Sequence, residues 1–204
     1  MLKQSWQESI DVKRREDVLN KIKKMFMKEE PPLMVPDINS PGQLEDSDYI
    51  EHSAEAVGYG NRKLQWNTYR SIANYIPEGD SVLDFGCARG DFKLFHADDY
   101  TFDLDYIGID MNENLINAGK KVYEDRVDIR LQDWFKMPTE LKQDWCINIG
   151  SSNLRYDADI KSNDQEYLEK TINTMYDHAN KGMVILLTSS LSGIDDGLIN
   201  RDPG

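Results

Sequence analysis

Five short apolar segments, separated by stretches of helical pattern, constrain the fold of this chain more than any other feature. The predicted strands are Ser81–Phe85, Tyr106–Asp110, Val127–Leu131, Trp145–Ile149 and Met183–Thr188. The predicted helices are Arg62–Ile76, Asp91–Ala97, Glu113–Tyr123 and Asp164–Asn180. Apolar strands that alternate with helices are typical of a parallel sheet covered on both faces. The pattern therefore predicts an α/β, Rossmann-like, doubly wound fold.

Two segments precede this region. Residues 1–30 have an amphipathic helical pattern, with one apolar stripe formed by Val18, Leu19, Ile22, Met25 and Phe26. We expect this helix to dock on its own domain or on a partner chain, because the acidic residues beside the stripe disfavour a membrane surface. Residues 31–48 are rich in proline and acidic residues, which is typical of an extended linker. The predicted domain then spans 49–204.

The composition excludes several functional classes. Among 204 residues, 24 Lys and Arg stand against 37 Asp and Glu, a formal net charge of −13, which disfavours general binding to DNA. No apolar run approaches the roughly 20 residues of a membrane span, and no signal peptide is evident. Two cysteines and three scattered histidines predict neither disulfides nor a metal site. We expect a cytoplasmic protein.

Acidic residues stand where three of the predicted strands end. Asp84 is followed by a turn with Gly86 and Gly90, and Asp110 closes the next strand, roughly 20 residues beyond that turn. An acid in that place can accept both hydroxyl groups of a ribose. Asp133 and Trp134 follow the third strand and suit the edge and face of an adenine. Any one of these acids could instead cap a helix, but their order along the chain favours an adenosine site.

Two motifs carry a resemblance to a known family. The segments 81–92, Ser-Val-Leu-Asp-Phe-Gly-Cys-Ala-Arg-Gly-Asp-Phe, and 108–112, Gly-Ile-Asp-Met-Asn, resemble the first two motifs of class I S-adenosylmethionine-dependent methyltransferases. Within that family the chain is similar to small methyltransferases of bacteriophages, which would place it in the cytoplasm of a host cell. The resemblance covers about residues 58–203. It implies S-adenosylmethionine as cofactor and the strand order 3-2-1-4-5.

The resemblance also implies roles for single residues. It assigns the methionine part of the cofactor to the first motif and to Gly150, the ribose to Asp110, and the adenine to residues after the second and third strands. The implied cofactor-binding residues are Asp84, Gly86, Ala88, Gly90, Asp110, Met111, Asp133, Trp134 and Gly150. The implied acceptor-side residues are Asn153, Arg155 and Tyr156.

The chain departs from the family pattern at two points. Ala88 replaces the middle glycine of the first motif, and the chain stops at Gly204, where the family continues with a further helix and two antiparallel strands. We therefore expect about five strands, with the C-terminal strands of the family missing. The exposed fifth strand would then be covered by the tail after Ser189 or by another chain, as in a homo-oligomer.

Several functional alternatives stay open at this stage. The methyl acceptor could be a protein, a small molecule or an RNA, whereas the motifs for methylation of DNA bases are missing. A non-catalytic protein, including a viral component, that keeps the cofactor fold without turnover is the main rival, since fold alone does not establish function. A nicotinamide dehydrogenase fits less well, because Asp84 would repel a pyrophosphate.

Overall fold

The computed structural model describes residues 16–17, 54, 57, 59, 61–100, 102–151 and 164–187. Of the segment predicted as an N-terminal helix, only Glu16 and Asp17 fall within this part, and both are helical and exposed. The predicted linker at 31–48 lies outside it. The fold of the described part is therefore that of the predicted domain.

The described strands form one parallel sheet. They are β1 (Ser81–Phe85), β2 (Asp105–Asp110), β3 (Asp128–Leu131), β4 (Gln143–Ile149) and β5 (Ala179–Leu186). The strands lie side by side in the order β3-β2-β1-β4-β5, and each neighbouring pair is parallel. The predicted fold class and strand order are confirmed. The order reverses beside β1, and ligands of such sheets bind beyond the carboxyl ends of the strands at that point.

Helices cover both faces of the sheet. They are α1 (Arg62–Ala73), α2 (Asp91–Asp99), α3 (Glu113–Tyr123) and α4 (Asp164–His178). A short 3-10 turn, Glu124–Arg126, follows α3. Another, Trp134–Lys136, follows β3 and has Asp133 as its N-cap. None of the helices in the described part of the chain has the length and apolar character that a membrane crossing requires.

The alternation of side chains along β1 divides the core into two clusters. Val82 packs with residues of α1, α2 and α3, whereas Leu83 and Phe85 pack with Trp134 and with the face of α4 that carries Tyr167. Complete burial of a large apolar side chain such as Phe85 contributes about 1.5–3 kcal/mol to folding. Successive residues of a strand point to opposite faces, so Asp84 lies on the face covered by α1 to α3.

Some of the predicted element bounds differ from those in the structure. The helix predicted over Asp164–Asn180 ends at His178, and β5 begins at Ala179 rather than at Met183, because pairing with β4 extends the strand into a polar stretch. The helix predicted over Arg62–Ile76 ends at Ala73, and within it Leu64 is half exposed whereas Gln65 is fully buried. Contacts with the rest of the fold decide both points, and local sequence pattern does not contain them.

Candidate functional site

The turn between β1 and α2 contains the glycines of the predicted first motif. Gly86 and Gly90 have φ angles of 75° and 83°, a region that L side chains rarely adopt. A Cβ at Gly86 would lie 2.2 Å from the Ser151 Oγ atom, and one at Gly90 would lie 2.8 Å from the Val127 side chain. The fold itself therefore requires both glycines, and their presence alone does not identify a ligand.

Asp110 fastens this turn to the end of β2. Its carboxylate is almost fully buried and accepts hydrogen bonds from the backbone N–H groups of Ala88 and Asn112, each at 2.8 Å. Burial raises the pKa of the Asp110 carboxyl, while these backbone donors hold it down. Because a carboxylate offers about four lone-pair sites, Asp110 retains capacity for further donors such as hydroxyl groups.

Asp84 is the most unusual polar group of the site. Its side chain is 3% exposed, and its Oδ2 atom accepts a hydrogen bond of 2.8 Å from the Tyr106 hydroxyl. Its Oδ1 atom is buried without a hydrogen-bond partner among the described residues. Burial raises the pKa of the Asp84 carboxyl to about 7, and the nearby charge of Asp110 adds to the shift. A buried carboxylate of this kind is stabilised by a cation.

Two tyrosines from the N-terminal side of the domain, Tyr59 and Tyr69, are electrostatically coupled to Asp84. Burial is the main cause that raises the pKa of Tyr59 to about 12 and that of Tyr69 above its ordinary value, and the charge of Asp84 adds to both shifts. The two rings meet edge to face, 6.1 Å apart. The Gln65 amide donates a hydrogen bond of 3.0 Å to the Tyr69 hydroxyl.

Gln65 supplies a second buried acceptor near this cluster. Its Oε1 atom has no hydrogen-bond partner in the described part of the chain, although the side chain is fully buried. Neither Gln65 nor Tyr69 was predicted as a site residue from the sequence. The only sequence signal was a glutamine at helical spacing from buried apolar residues, which is ambiguous because such a residue more often faces solvent.

Asp133 and Trp134 are held by local contacts at the end of β3. The Asp133 carboxylate accepts a hydrogen bond of 3.0 Å from the Phe135 N–H and forms an ion pair with Lys136 at 2.8 Å. The indole of Trp134 is 1% exposed and packs against Phe85, with ring centroids 6.4 Å apart. Trp134 thus belongs to the core behind the site, and Asp133 caps the 3-10 turn.

The remaining predicted residues fall at the same edge of the sheet or outside the described part. Met111 follows β2 and packs partly buried against the cluster that contains Trp134. Gly150 follows β4 with a φ angle of 84°. The predicted acceptor-side residues Asn153, Arg155 and Tyr156 lie outside the described residues.

Hydrogen bonds also join β4 to β1 beside this site. The Asn148 amide donates to the Phe85 carbonyl at 3.1 Å and to the Ser151 hydroxyl at 2.7 Å, and the Ser151 hydroxyl donates to the same carbonyl at 3.0 Å. These contacts hold the segment that contains Gly150 against the glycine turn. The candidate cofactor residues of β1, β2 and β4 therefore belong to one connected structure.

Within the described part of the chain, no group of three or more His, Cys, Asp or Glu side chains could hold a metal ion. Cys87 and Cys146 are free and buried, and burial raises the pKa of both thiols, which disfavours the reactive thiolate. The site is therefore built from carboxylates, tyrosines and backbone groups.

A comparison with protein families identifies the family to which this chain belongs. A sequence model described as a methyltransferase domain matches residues 76–195, more than half of the chain. The chain belongs to the methyltransferase family. The match contains the glycine turn and the ends of all five strands. A comparison with curated proteins finds no match.

Solved structures with a similar fold include DesVI from Streptomyces venezuelae, with 15% identity and a TM-score of 0.51. This match covers 72% of the present chain and 59% of that protein, which is less than two thirds of its length. A TehB-like SAM-dependent methyltransferase from Corynebacterium glutamicum has 19% identity and a TM-score of 0.49, covering 69% and 71% of the two chains. At 15% identity the match to DesVI describes a shared fold.

A third solved structure is a Burkholderia thailandensis 1,6-didemethyltoxoflavin-N1-methyltransferase with bound 1,6-didemethyltoxoflavin and S-adenosylhomocysteine. Its identity to this methyltransferase is 15% and its TM-score is 0.49, with coverage of 81% and 69% of the two chains.

Proposed function

We propose that this methyltransferase binds S-adenosylmethionine at the carboxyl ends of β1, β2 and β3 and transfers the methyl group to an acceptor. The observation that carries the proposal is the buried Asp84 carboxylate, whose Oδ1 atom lacks a hydrogen-bond partner among the described residues. S-adenosylmethionine brings an ammonium and a sulfonium to such a group and no phosphate. The buried carboxylate therefore fits a cationic nucleoside better than a nicotinamide dinucleotide.

The other strand ends suit the rest of the cofactor. We assign the ribose to Asp110, which has acceptor capacity beyond its two backbone donors. The adenine edge is assigned to Asp133 and one face to Met111, with Trp134 supporting them from the core. Gly86, Ala88, Gly90 and Gly150 would contribute backbone around the methionine part.

In the proposed reaction the protein acts by positioning. The bound cofactor supplies a methyl group that a sulfonium already activates toward in-line displacement. Asp84 holds the cationic end in a buried site, and Asp110 fixes the ribose, so that the methyl group meets the acceptor at a defined place. A dedicated base is unnecessary when the acceptor is already nucleophilic.

The residues that would face the methyl acceptor are proposed from the sequence alone. Asn153, Arg155 and Tyr156 follow β4 and would face an acceptor that is a protein, a small molecule or an RNA. The net charge of −13 argues against a general DNA substrate.

We also propose a cytoplasmic location, which the two buried free thiols support, since reduced cysteines are typical of that compartment. The resemblance to bacteriophage enzymes extends this proposal to the cytoplasm of a host cell.

Calorimetry tests the binding step. At pH 8 the wild-type protein should bind S-adenosylmethionine, and Asp84→Asn should bind about 10- to 100-fold more weakly, because hydrogen bonds to charged groups contribute about 1.5–3 kcal/mol. Asp98→Asn, an exposed carboxylate of α2, is the matched control for the change in charge. Absence of binding by the wild-type protein to both S-adenosylmethionine and S-adenosylhomocysteine would contradict the proposal.

The pH dependence of the same titration is a second test. The pKa of the Asp84 carboxyl is about 7 in the empty site, and a bound cation favours the ionised form. Below pH 7 the cofactor must displace a proton, so affinity should fall by up to about tenfold for each pH unit. The Asp84→Asn variant should lack this slope.

A screen of methyl acceptors then separates catalysis from binding alone. Transfer of a labelled methyl group to any protein, RNA or small molecule would support the enzyme. Tight binding without transfer to any acceptor would favour the non-catalytic alternative.

A further inference from the structure

The Tyr167 hydroxyl is a buried polar group that the proposed function has not used. Tyr167 lies on α4, and its side chain is 7% exposed. Its hydroxyl oxygen has no hydrogen-bond partner within the described part of the chain. Buried hydroxyl groups without a partner are uncommon in folded proteins, so this one calls for an explanation.

Its surroundings place Tyr167 beside the adenosine end of the candidate site. The ring meets Phe135 edge to face, with centroids 5.6 Å apart, and the Phe135 N–H binds the Asp133 carboxylate. Tyr167 also belongs to the same core cluster as Ile109, the residue that precedes Asp110. The tyrosine thus packs against Phe135, two residues after Asp133, and shares a core cluster with the residue before Asp110.

Electrostatics agree with this position and define what the hydroxyl can do. Burial raises the pKa of Tyr167, and the charges of Asp110 and Asp133 raise it further. The hydroxyl therefore keeps its proton at all physiological pH values. With no acceptor bonded to it, it can donate a hydrogen bond to a ligand.

The two carboxylates and the tyrosine offer complementary chemistry. Asp110 and Asp133 are acceptors only, which suits the ribose hydroxyls and the exocyclic amine of adenine. The ring nitrogens of adenine are acceptors and need a donor that neither carboxylate can supply. We infer that the Tyr167 hydroxyl donates a hydrogen bond to an adenine ring nitrogen, an inference that rests on the proposed binding of S-adenosylmethionine.

Tyr167→Phe tests the inference, since it keeps the ring and removes only the hydroxyl. Calorimetry with S-adenosylhomocysteine should show binding about 3- to 10-fold weaker than for the wild-type protein, the range expected for one neutral hydrogen bond. Without ligand, the thermal midpoint should not fall, because the variant loses a hydroxyl that had no partner. Tyr176→Phe, on the same helix, is the matched control and should leave the affinity unchanged.

Analogues of S-adenosylhomocysteine that lack one ring nitrogen identify the acceptor. The 1-deaza, 3-deaza and 7-deaza compounds should each be titrated into the wild-type protein and Tyr167→Phe. For one of the three, the two proteins should bind equally, because the hydrogen bond is then missing in both.

Other results would overturn the inference. One is that Tyr167→Phe binds S-adenosylhomocysteine as tightly as the wild-type protein does. Another is that Tyr167→Phe binds all three analogues more weakly than the wild type by the same factor. A third is a lowered thermal midpoint of the variant without ligand. If the wild-type protein binds neither S-adenosylmethionine nor S-adenosylhomocysteine, the proposed function itself fails. Binding by the wild type with an unchanged variant removes only the role of Tyr167.

Discussion

Among single residues, Asp84 combines a structural cost with a proposed binding role. Its carboxyl group is buried beside the charge of Asp110, and its pKa of about 7 lies well above that of an exposed aspartate, near 3.9. The folded protein therefore binds a proton more tightly than the unfolded chain. The stabilisation from that proton is complete below about pH 4 and is lost as the pH rises toward 7.

Replacement of Asp84 should make this cost measurable. Asp84→Asn removes the titrating group, so above pH 7 its free energy of unfolding should exceed that of the wild type, by at most on the order of 4 kcal/mol. Urea unfolding from pH 4 to 8 measures the difference. It should grow with pH through this window, and a difference independent of pH would show that the Asp84 carboxyl does not titrate there.

Ala88 is a second residue under local strain. It occupies the left-handed region with a φ angle of 51°, where its Cβ costs about 1–2 kcal/mol relative to glycine. Its N–H is committed to the Asp110 carboxylate, so the turn keeps this conformation regardless of the cost.

Ala88→Gly should therefore stabilise the protein by about 0.5–1 kcal/mol, after allowance for the greater freedom of glycine in the unfolded chain. Thermal or urea unfolding gives the value. Ala97→Gly, at an exposed right-handed position in α2, is the matched control and should destabilise by about 1 kcal/mol. Equal losses in both variants would contradict the assignment of strain to Ala88.

At the scale of elements, a buried ionic cluster joins the start of α2 to the end of α3. Arg89 is 3% exposed and forms an ion pair of 2.9 Å with Asp91 and a hydrogen bond of 3.0 Å to the Tyr123 hydroxyl, which also bonds to Asp91. Arg89 lies within the glycine turn, directly before Gly90, so the cluster ties this turn to α2 and α3. The geometry of the glycine turn thus depends on the docking of both helices.

Asp91→Asn should destabilise the fold by about 3–5 kcal/mol, because it removes one partner of a buried ion pair with the Arg89 guanidinium. Urea unfolding measures the loss. Asp99→Asn, at the exposed end of the same helix, removes an ion pair with Arg70 and should cost less than about 1 kcal/mol. Similar losses in the two variants would argue against a dominant role for the buried cluster.

At the scale of the whole molecule, β5 is the outer strand of the described sheet. It pairs with β4 on one side, and the segment from Met183 to Leu186 is apolar and partly buried. A bare apolar strand edge promotes association between chains. We propose that the edge is covered, either by the residues after Ser189 or by another copy of the chain.

Hydrogen exchange tests this coverage. The amides of β5 that do not bond to β4 should exchange slowly in the full chain, because a covering strand would take their hydrogen bonds. Gel filtration of the same sample distinguishes cover within a monomer from cover by a second copy. A monomer in which these amides exchange rapidly would contradict the proposal.

The sheet and its candidate ligand-binding edge could be predicted from the sequence, because both depend on local patterns of residues. Apolar strands alternating with helices specify a parallel sheet, and the motif that contains Asp84, Gly86 and Gly90 lies at a strand end in the structure as predicted. These signals depend on residues that are near one another in the chain. The extension of β5 to Ala179 escaped prediction because its cause is pairing with β4, a distant segment.

Which of the buried polar groups have hydrogen-bond partners could be seen in the three-dimensional structure alone. The sequence could place Asp84, Asp110 and Asp133 at strand ends, but it could not show that Asp110 and Asp133 bind backbone donors while Asp84 keeps a buried oxygen without one in the described part. Nor could it show that Tyr167, on α4, lies beside Phe135. Burial and hydrogen bonding depend on the packing of the whole domain, and distance along the chain does not encode them.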